Sequence, residues 1–292
     1  MQTLLKSRTK EYRITTDGSI AIIGESINPT RRKKLTAALL SGDLEYIFEL
    51  AQTQIETGAD ILDINVGAPG VDEVHLLPQV ALAVSGRFDV PICLDSSNRE
   101  ALAAALKVIP GKPLVNSVNG EEANLDRLLP LIKEYGAAVI GLTMDDNGIP
   151  TDPEVRLAIA GKILERAAKL GIPTEDVVID PLVLTVGADQ NAGRVTLRTI
   201  EMVRREFGVN INLGASNVSF GLPDRHTVNQ AFLVLGAGAG ASCVITNPEK
   251  LTPIIRASDL LLGRDAFAGR FIKDFRKRQA LGLVADGTTG KS

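Results

Sequence analysis

Tryptophan is absent from the 292 residues, tyrosine occurs three times, and aromatic residues make up 4% of the chain. A surface that stacks nucleic-acid bases draws on aromatic faces and on an excess of cations. Here 32 basic residues meet 35 acidic ones for a net charge of −3, which excludes nucleic-acid binding as the main activity. One basic run, Arg270-Phe-Ile-Lys-Asp-Phe-Arg-Lys-Arg278, reads as a solvated helix face. Cysteine is nearly missing as well. Cys93 and Cys243 have no CxxC neighbour, so a disulfide framework is excluded and a cytoplasmic protein is expected. Residues 1–13 carry charges throughout and lack the apolar segment of a secretory signal. The longest uncharged stretch, residues 227–248, is broken by Asn229, Gln230 and several glycines, so it reads as core and no membrane span is expected.

What is present is a repeating pattern. Short apolar runs rich in β-branched residues lie at 20–23, 61–66, 91–94, 113–116, 138–142, 177–179, 211–213 and 243–246, about 32 residues apart. Helical segments fall between them. Asp43 caps 44–57, Asn98 caps 99–108 ahead of Pro110-Gly111, and Asp152-Pro153 opens 154–170 ahead of Gly171. Eight strand–helix units in about 250 residues predict an α/β protein, a (β/α)8 TIM barrel of a single domain. The rival, a doubly wound sheet, calls for a glycine-rich turn after its first strand, and Gly24-Glu-Ser-Ile-Asn28 is not one. The expected division is an N-terminal extension at 1–18, the barrel at 19–282, and a flexible C-terminal tail at 283–292.

A barrel carries its active site where strands end and βα loops begin. The predicted tips read Glu25-Ser-Ile-Asn28, Asp63 with Asn65, Asp95-Ser-Ser-Asn98, Asn116-Ser-Val-Asn119, Thr143-Met-Asp145, Asp180, Ser216-Asn217-Val-Ser219 and Thr246-Asn247. Lys, His and Cys are missing from this ring, so Schiff-base chemistry, a Ser–His–Asp triad and a zinc site of N and S ligands lack candidates. A carboxylate presents two parallel acceptors, which match the ring N–H and exocyclic amine of a 2-amino-4-oxo pyrimidine. A carboxamide reads neighbouring ring nitrogens of opposite polarity. A reduced pterin, folates included, fits such a rim. The same residues also serve helix caps and Asx-turns, and carboxylates also bind magnesium, although no phosphate cradle accompanies them. The small residues of Gly236-Ala-Gly-Ala-Gly240-Ala precede a strand, so they suit close helix packing better than a nucleotide loop.

Ile22-Ile-Gly-Glu-Ser-Ile-Asn28, Leu62-Asp-Ile-Asn-Val-Gly67, Cys93-Leu-Asp-Ser-Ser-Asn98, Asn116-Ser-Val-Asn119, Gly141-Leu-Thr-Met144, Ile179-Asp-Pro181 and Ala215-Ser-Asn-Val-Ser219 occur in that order. Taken together they resemble the pterin-binding methyltransferase family over about residues 20–265. That family includes the methyltetrahydrofolate:corrinoid protein methyltransferases and the folate module of cobalamin-dependent methionine synthase. The resemblance implies a homodimeric barrel that binds folate at the C-terminal ends of its strands. It implies pterin anchoring by Asp95, Asn116 and Asp180, and an amide beside N5 at Asn217, which would be the catalytic residue. Arg225 matches a further family position, and Phe220 lies where some relatives carry a polar residue. Glu25 and Asn28 fall on a Gly-Glu-Arg-x-Asn string in which Ser26 replaces the arginine.

The reaction so implied moves a methyl group, in either direction, between N5 of tetrahydrofolate and the cobalt of a cobalamin. The chain has no Asp-x-His-x-x-Gly motif of its own, so the corrinoid is expected on a partner protein, and no metal is expected to be bound by this chain. Two alternatives stand beside this reading. A dihydropteroate synthase-like enzyme would be expected to carry a Lys near the seventh strand and an Arg in the second loop. The chain has Gly214-Ala-Ser-Asn217 and Gly67-Ala-Pro-Gly-Val-Asp72 there. The other alternative is a non-catalytic folate-binding subunit.

Overall fold

Each of the eight apolar runs forms a strand in the computed structural model, which describes residues 1–284. After a hairpin of β1 (Gln2–Lys6) and β2 (Glu11–Thr15) come β3 (Ala21–Ile27), β4 (Ile61–Ile64), β5 (Ile92–Asp95) and β6 (Leu114–Asn119). Then follow β7 (Ala138–Leu142), β8 (Val177–Asp180), β9 (Asn212–Gly214) and β10 (Cys243–Thr246). The eight-stranded sheet runs β8-β7-β6-β5-β4-β3-β10-β9, every pair parallel. A parallel bridge between Ile179 and Ile211 joins its two ends. The sheet is therefore closed, and the fold is a (β/α)8 barrel. The tail expected at 283–292 lies, from residue 285 onward, outside the described residues.

The helices are α1 (Lys33–Ser41), α2 (Leu44–Glu56), α3 (Glu73–Arg87), α4 (Arg99–Val108) and α5 (Glu122–Tyr135), then α6 (Pro153–Lys169), α7 (Ala192–Phe207), α8 (Arg225–Ala239), α9 (Pro248–Leu261) and α10 (Gly269–Ala280). Three of their starts follow the expected chemistry. Asp43 accepts from Tyr46 N, Asn98 from Glu100 N and Ala101 N, and Asp152 from Glu154 N with Pro153 in the first turn. The small residues of α8 pack as expected: a Cβ on Gly236 would lie 2.6 Å from Leu213 Cδ2. Among the described residues no helix is long and apolar enough to cross a membrane.

The first 18 residues do more than extend the chain. β1 and β2 pair antiparallel and send Leu5 and Ile14, both fully buried, into a cluster with Ile23, Ile61, Cys93, Leu114, Ala138, Val178 and Cys243. These are inward-facing residues from the lower part of the barrel, so the hairpin plugs its N-terminal mouth. Asn210 Nδ2 donates to Thr3 Oγ1 and to the Ile14 carbonyl, both at 2.9 Å. Lys6 and Lys112 exchange backbone hydrogen bonds at 3.0 Å. Gly111 beside them has φ +88°, and a Cβ there would meet the Lys6 carbonyl oxygen at 2.2 Å. Only glycine allows this approach.

Side chains alternate across a strand, so residues two apart share the barrel interior. Along β3 the interior residue changes from Ile23 to Glu25, along β4 from Ile61 to Asp63, along β5 from Cys93 to Asp95. Along β6 it changes from Leu114 to Asn116, and along β8 from Val178 to Asp180. The barrel is thus apolar below and polar above, with the boundary one pleat wide.

Candidate active site

Asp63 and Asp95 form the centre of the polar layer. Asn65 Nδ2 donates to Asp95 Oδ2 at 3.0 Å, and Asn116 Nδ2 donates to Asp63 Oδ1 at 3.5 Å. Asp63 is 1% exposed, and burial, reinforced by the neighbouring Asp95 charge, holds its carboxyl well above the usual range. Burial likewise pushes Asp95 up to about 6, against the hydrogen bonds that favour its charged form. Two adjacent carboxyls cannot both ionise cheaply. The deeper Asp63 keeps the proton, and Asp95 is the acceptor offered to the opening.

On the opposite wall stands Asp180, 6% exposed. Its Oδ1 accepts from Leu182 N at 2.7 Å and its Oδ2 from Asn212 Nδ2 at 2.6 Å. Burial pushes this carboxyl up to about 6 as well, opposed by those two bonds and by the Arg156 charge. Arg156, fully buried on α6, braces the loop beyond β8. Its Nη1 donates to the carbonyls of Pro181 and Leu182 at 2.8 Å, and its Nε to the Pro150 carbonyl at 2.7 Å. Leu182 takes φ +57°, an uncommon conformation for a leucine that these contacts hold in place.

The remaining expected residues line the rim after β3 and β9. Ser216 Oγ donates to Glu25 Oε1 at 3.4 Å. Burial raises the Glu25 pKa, while Arg32, Arg225 and Lys250 pull it down. Arg225 clamps the turn that carries Asn217. Its Nη2 donates to the Ser216 carbonyl at 2.7 Å and its Nε to Ser219 Oγ at 3.1 Å. Asn217 itself is exposed, with its amide nitrogen near the open Cβ position of Gly214. Asn28 is used differently: its side-chain oxygen accepts from Thr30 N at 3.0 Å and shapes its own turn. The structure therefore gathers Asp95, Asn116 and Asp180 around the polar layer, sets Asn217, Arg225 and Glu25 on the rim, and leaves Asn28 as a turn residue.

Asp63 and Asn65, expected at a strand tip without an assigned role, join the site together with Asn212 and Arg156, which were not expected there. Asn212 carries a readable signal, a carboxamide inside the apolar run 211–213. His75 and His226 are exposed on the helices after these tips, and both cysteines are buried below them. Among the described residues no group of three or more His, Cys, Asp or Glu is arranged to hold a metal ion.

The sequence pattern of the pterin binding enzymes matches residues 24–247, from the tip of β3 to the residue after β10. The chain belongs to that family. Among curated relatives of this pterin-binding enzyme is the methylcorrinoid:tetrahydrofolate methyltransferase of Eubacterium limosum, 31% identical over 88% of this chain and 96% of its own. The methionine synthase of Mycobacterium tuberculosis is 31% identical over 94% of this chain, which spans 24% of that longer protein. Solved structures with the same fold include the dihydropteroate synthases of Yersinia pestis (TM-score 0.69, 18% identity, 89% of this chain and 99% of that one) and Vibrio fischeri (TM-score 0.69, 19% identity, 90% and 99%). At those identities the likeness of the synthases is one of fold. The matched span contains all eight strand tips and leaves out the hairpin plug and α10.

Proposed function

We propose that this pterin-binding enzyme transfers a methyl group between N5 of tetrahydrofolate and the cobalt of a corrinoid carried by a partner protein. The observation that carries the reading is the pair of carboxylates, half-buried Asp95 and buried Asp180, facing one polar layer that Asn116 shares. Each carboxylate would accept from pterin N–H donors, and Asn116 would read an adjacent ring position. The 31% identity to a methylcorrinoid:tetrahydrofolate methyltransferase, over nearly the full length of both chains, supports the same class of substrate.

The corrinoid supplies or accepts the methyl group at its cobalt; everything else falls to this chain. In the direction away from folate the N5–CH3 bond breaks and its electron pair stays on nitrogen, so N5 leaves well only when it carries a proton or a strong hydrogen bond. Asn217 serves here. A carboxamide can accept from N5–H⁺ or donate to neutral N5, so it stabilises the charge as it develops without titrating. Arg225, tied to Ser216 and Ser219, fixes the turn from which the amide reaches. The enzyme would act as a cytoplasmic homodimer with no metal of its own. A dihydropteroate synthase would be served by a lysine near the end of β9, where this chain has Asn217.

Single-turnover methyl transfer between methylfolate and a reduced corrinoid, followed by the corrinoid spectrum at several pH values, tests the reading. Asn217→Ala is expected to lose about 10²–10³ in rate at saturating folate, with folding unchanged. Transfer at the unmodified rate throughout would assign N5 activation to another group, and absence of transfer by the unmodified protein would sink the reaction.

A further inference from the structure

Three cavities adjoin along the C-terminal face. The first, about 210 Å³, is floored by Asp95 and Asn116 and shares Ser96 and Ser97 with the second, of about 360 Å³. The second shares Thr30, Gly67, Ala68 and Pro69 with the third, of about 530 Å³. Together they make one trench. It leads from Asp95, past the loop after β4, to the turn before α1. Its far stretch is walled by Pro29, Ala37, Leu40 and Pro69 and ends at Arg31, Arg32 and Lys33.

Those cations are not engaged in ion pairs. Among the described residues none of the three has a carboxylate within ion-pairing distance, and no acidic residue stands in the first turn of α1. Arg31 adopts φ +62°, and its guanidinium lies 4.4 Å from the centre of the exposed Phe220 ring. That stacking fixes the plane of the group while leaving its N–H edge available. Arg32 is anchored by a 2.9 Å bond from Nη1 to the Ser26 carbonyl. A chain of net charge −3 thus concentrates positive charge outside ion pairs at one end of a trench whose other end is a carboxylate.

We propose that the basic end of this trench binds the carboxylates of the γ-linked glutamate tail of folate, and so selects polyglutamylated over monoglutamyl forms. The inference rests on the folate reading above. The surfaces along the trench follow the groups along the ligand: acceptors for pterin N–H donors, a polar middle stretch with Asn65, Glu73 and Ser96, and then proline, alanine and leucine for the aminobenzoyl ring beside the cations for carboxylates. Each added glutamate supplies one more anion beside a charge that is already in place. Triglutamate adds two anions to the monoglutamate, and exposed ion pairs each contribute about threefold, so the two together give about tenfold, and the gain shrinks with salt.

The test is calorimetry of tetrahydropteroate, tetrahydrofolate monoglutamate and tetrahydrofolate triglutamate on the full chain and on the Arg31→Gln/Lys33→Gln double variant, at low and high salt. The expected result is triglutamate binding about tenfold tighter than monoglutamate in the unmodified protein. That advantage should vanish at high salt and in the variant, with tetrahydropteroate bound alike by both. Equal affinity for the two glutamate forms in the unmodified protein, or an advantage kept by the variant, overturns the tail assignment while leaving the folate reading intact. Failure of all three ligands to bind overturns both. A variant that keeps every ligand affinity but loses transfer from a corrinoid protein makes the basic turn a protein-docking element and likewise ends the proposal.

Discussion

Burial penalises the charge of Asp95 and Asp180 and pushes both carboxyls up to about 6. Pterin N–H groups need the ionised form as acceptor. Folate affinity should therefore hold between pH 7 and 8 and fall below about pH 6, by about tenfold per pH unit for each proton that must leave. Calorimetry from pH 5 to 8 checks this, and a flat profile would remove these carboxylates from the binding step. Removing either carboxylate outright should cost about 1–3 kcal/mol of folate affinity, since the pterin donors are left unpaired. Asp95→Ala and Asp180→Ala binding unmodified-like would count against both assignments. Asp63→Asn is expected to behave oppositely: burial and the Asp95 charge already disfavour a charge at this position, and the amide oxygen can still accept from Asn116, so folate binding and fold should survive. At this scale the sequence is informative wherever a polar residue ends an apolar run, as Asp95, Asn116 and Asp180 do. Arg156 is beyond such reading. It reaches the Pro181 carbonyl 25 residues away from a helix interior, and no spacing in the chain announces that contact.

The eight barrel strands are legible because apolar runs recur at a near-constant spacing, and three of the helices because Asp43, Asn98 and Asp152 cap them. The hairpin is not. Its strands, Gln-Thr-Leu-Leu-Lys and Glu-Tyr-Arg-Ile-Thr, are mixed in character, and each contributes one fully buried large side chain to the barrel interior, Leu5 and Ile14. What makes them a plug is the shape of the mouth they fill, a property of eight distant segments. Leu5→Ala should cost about 2–5 kcal/mol of stability, since it empties a fully enclosed site. Gly111→Ala should also destabilise, because its Cβ collides with the Lys6 carbonyl that the hairpin must bring close. Urea unfolding measures both; unchanged midpoints would mean that the hairpin is held by its edges rather than by its core contacts.

The molecule as a whole trades stability for its polar layer. A carboxyl whose pKa rises from 3.8 to about 6 on folding contributes stability below pH 3.8, and that contribution is lost as pH rises through 6. The loss is on the order of 3 kcal/mol for each of Asp95 and Asp180. The empty protein should thus melt at a higher temperature at pH 5.5 than at pH 8. Saturating folate, which favours the ionised carboxylates, should raise the melting temperature more at pH 8 than at pH 5.5. Thermal melts in the four conditions decide it; a ligand effect larger at the lower pH contradicts the scheme. Barrel topology itself follows from the count of units, but its closure, through the Ile179–Ile211 bridge, depends on a three-residue strand whose short apolar run is the weakest of the eight signals.

Because the hairpin stops the lower mouth, the barrel has a single doorway. Under the proposed reaction two visitors use it, one of them a protein broad enough to cover it. Traffic through such a doorway is a queue. Folate enters first and leaves last, and it is imprisoned for as long as the corrinoid protein stands on the threshold. The dwell time of the folate therefore belongs partly to its partner. In a pulse–chase with labelled folate, exchange should slow as the corrinoid protein becomes more concentrated, although the two never compete for the same atoms.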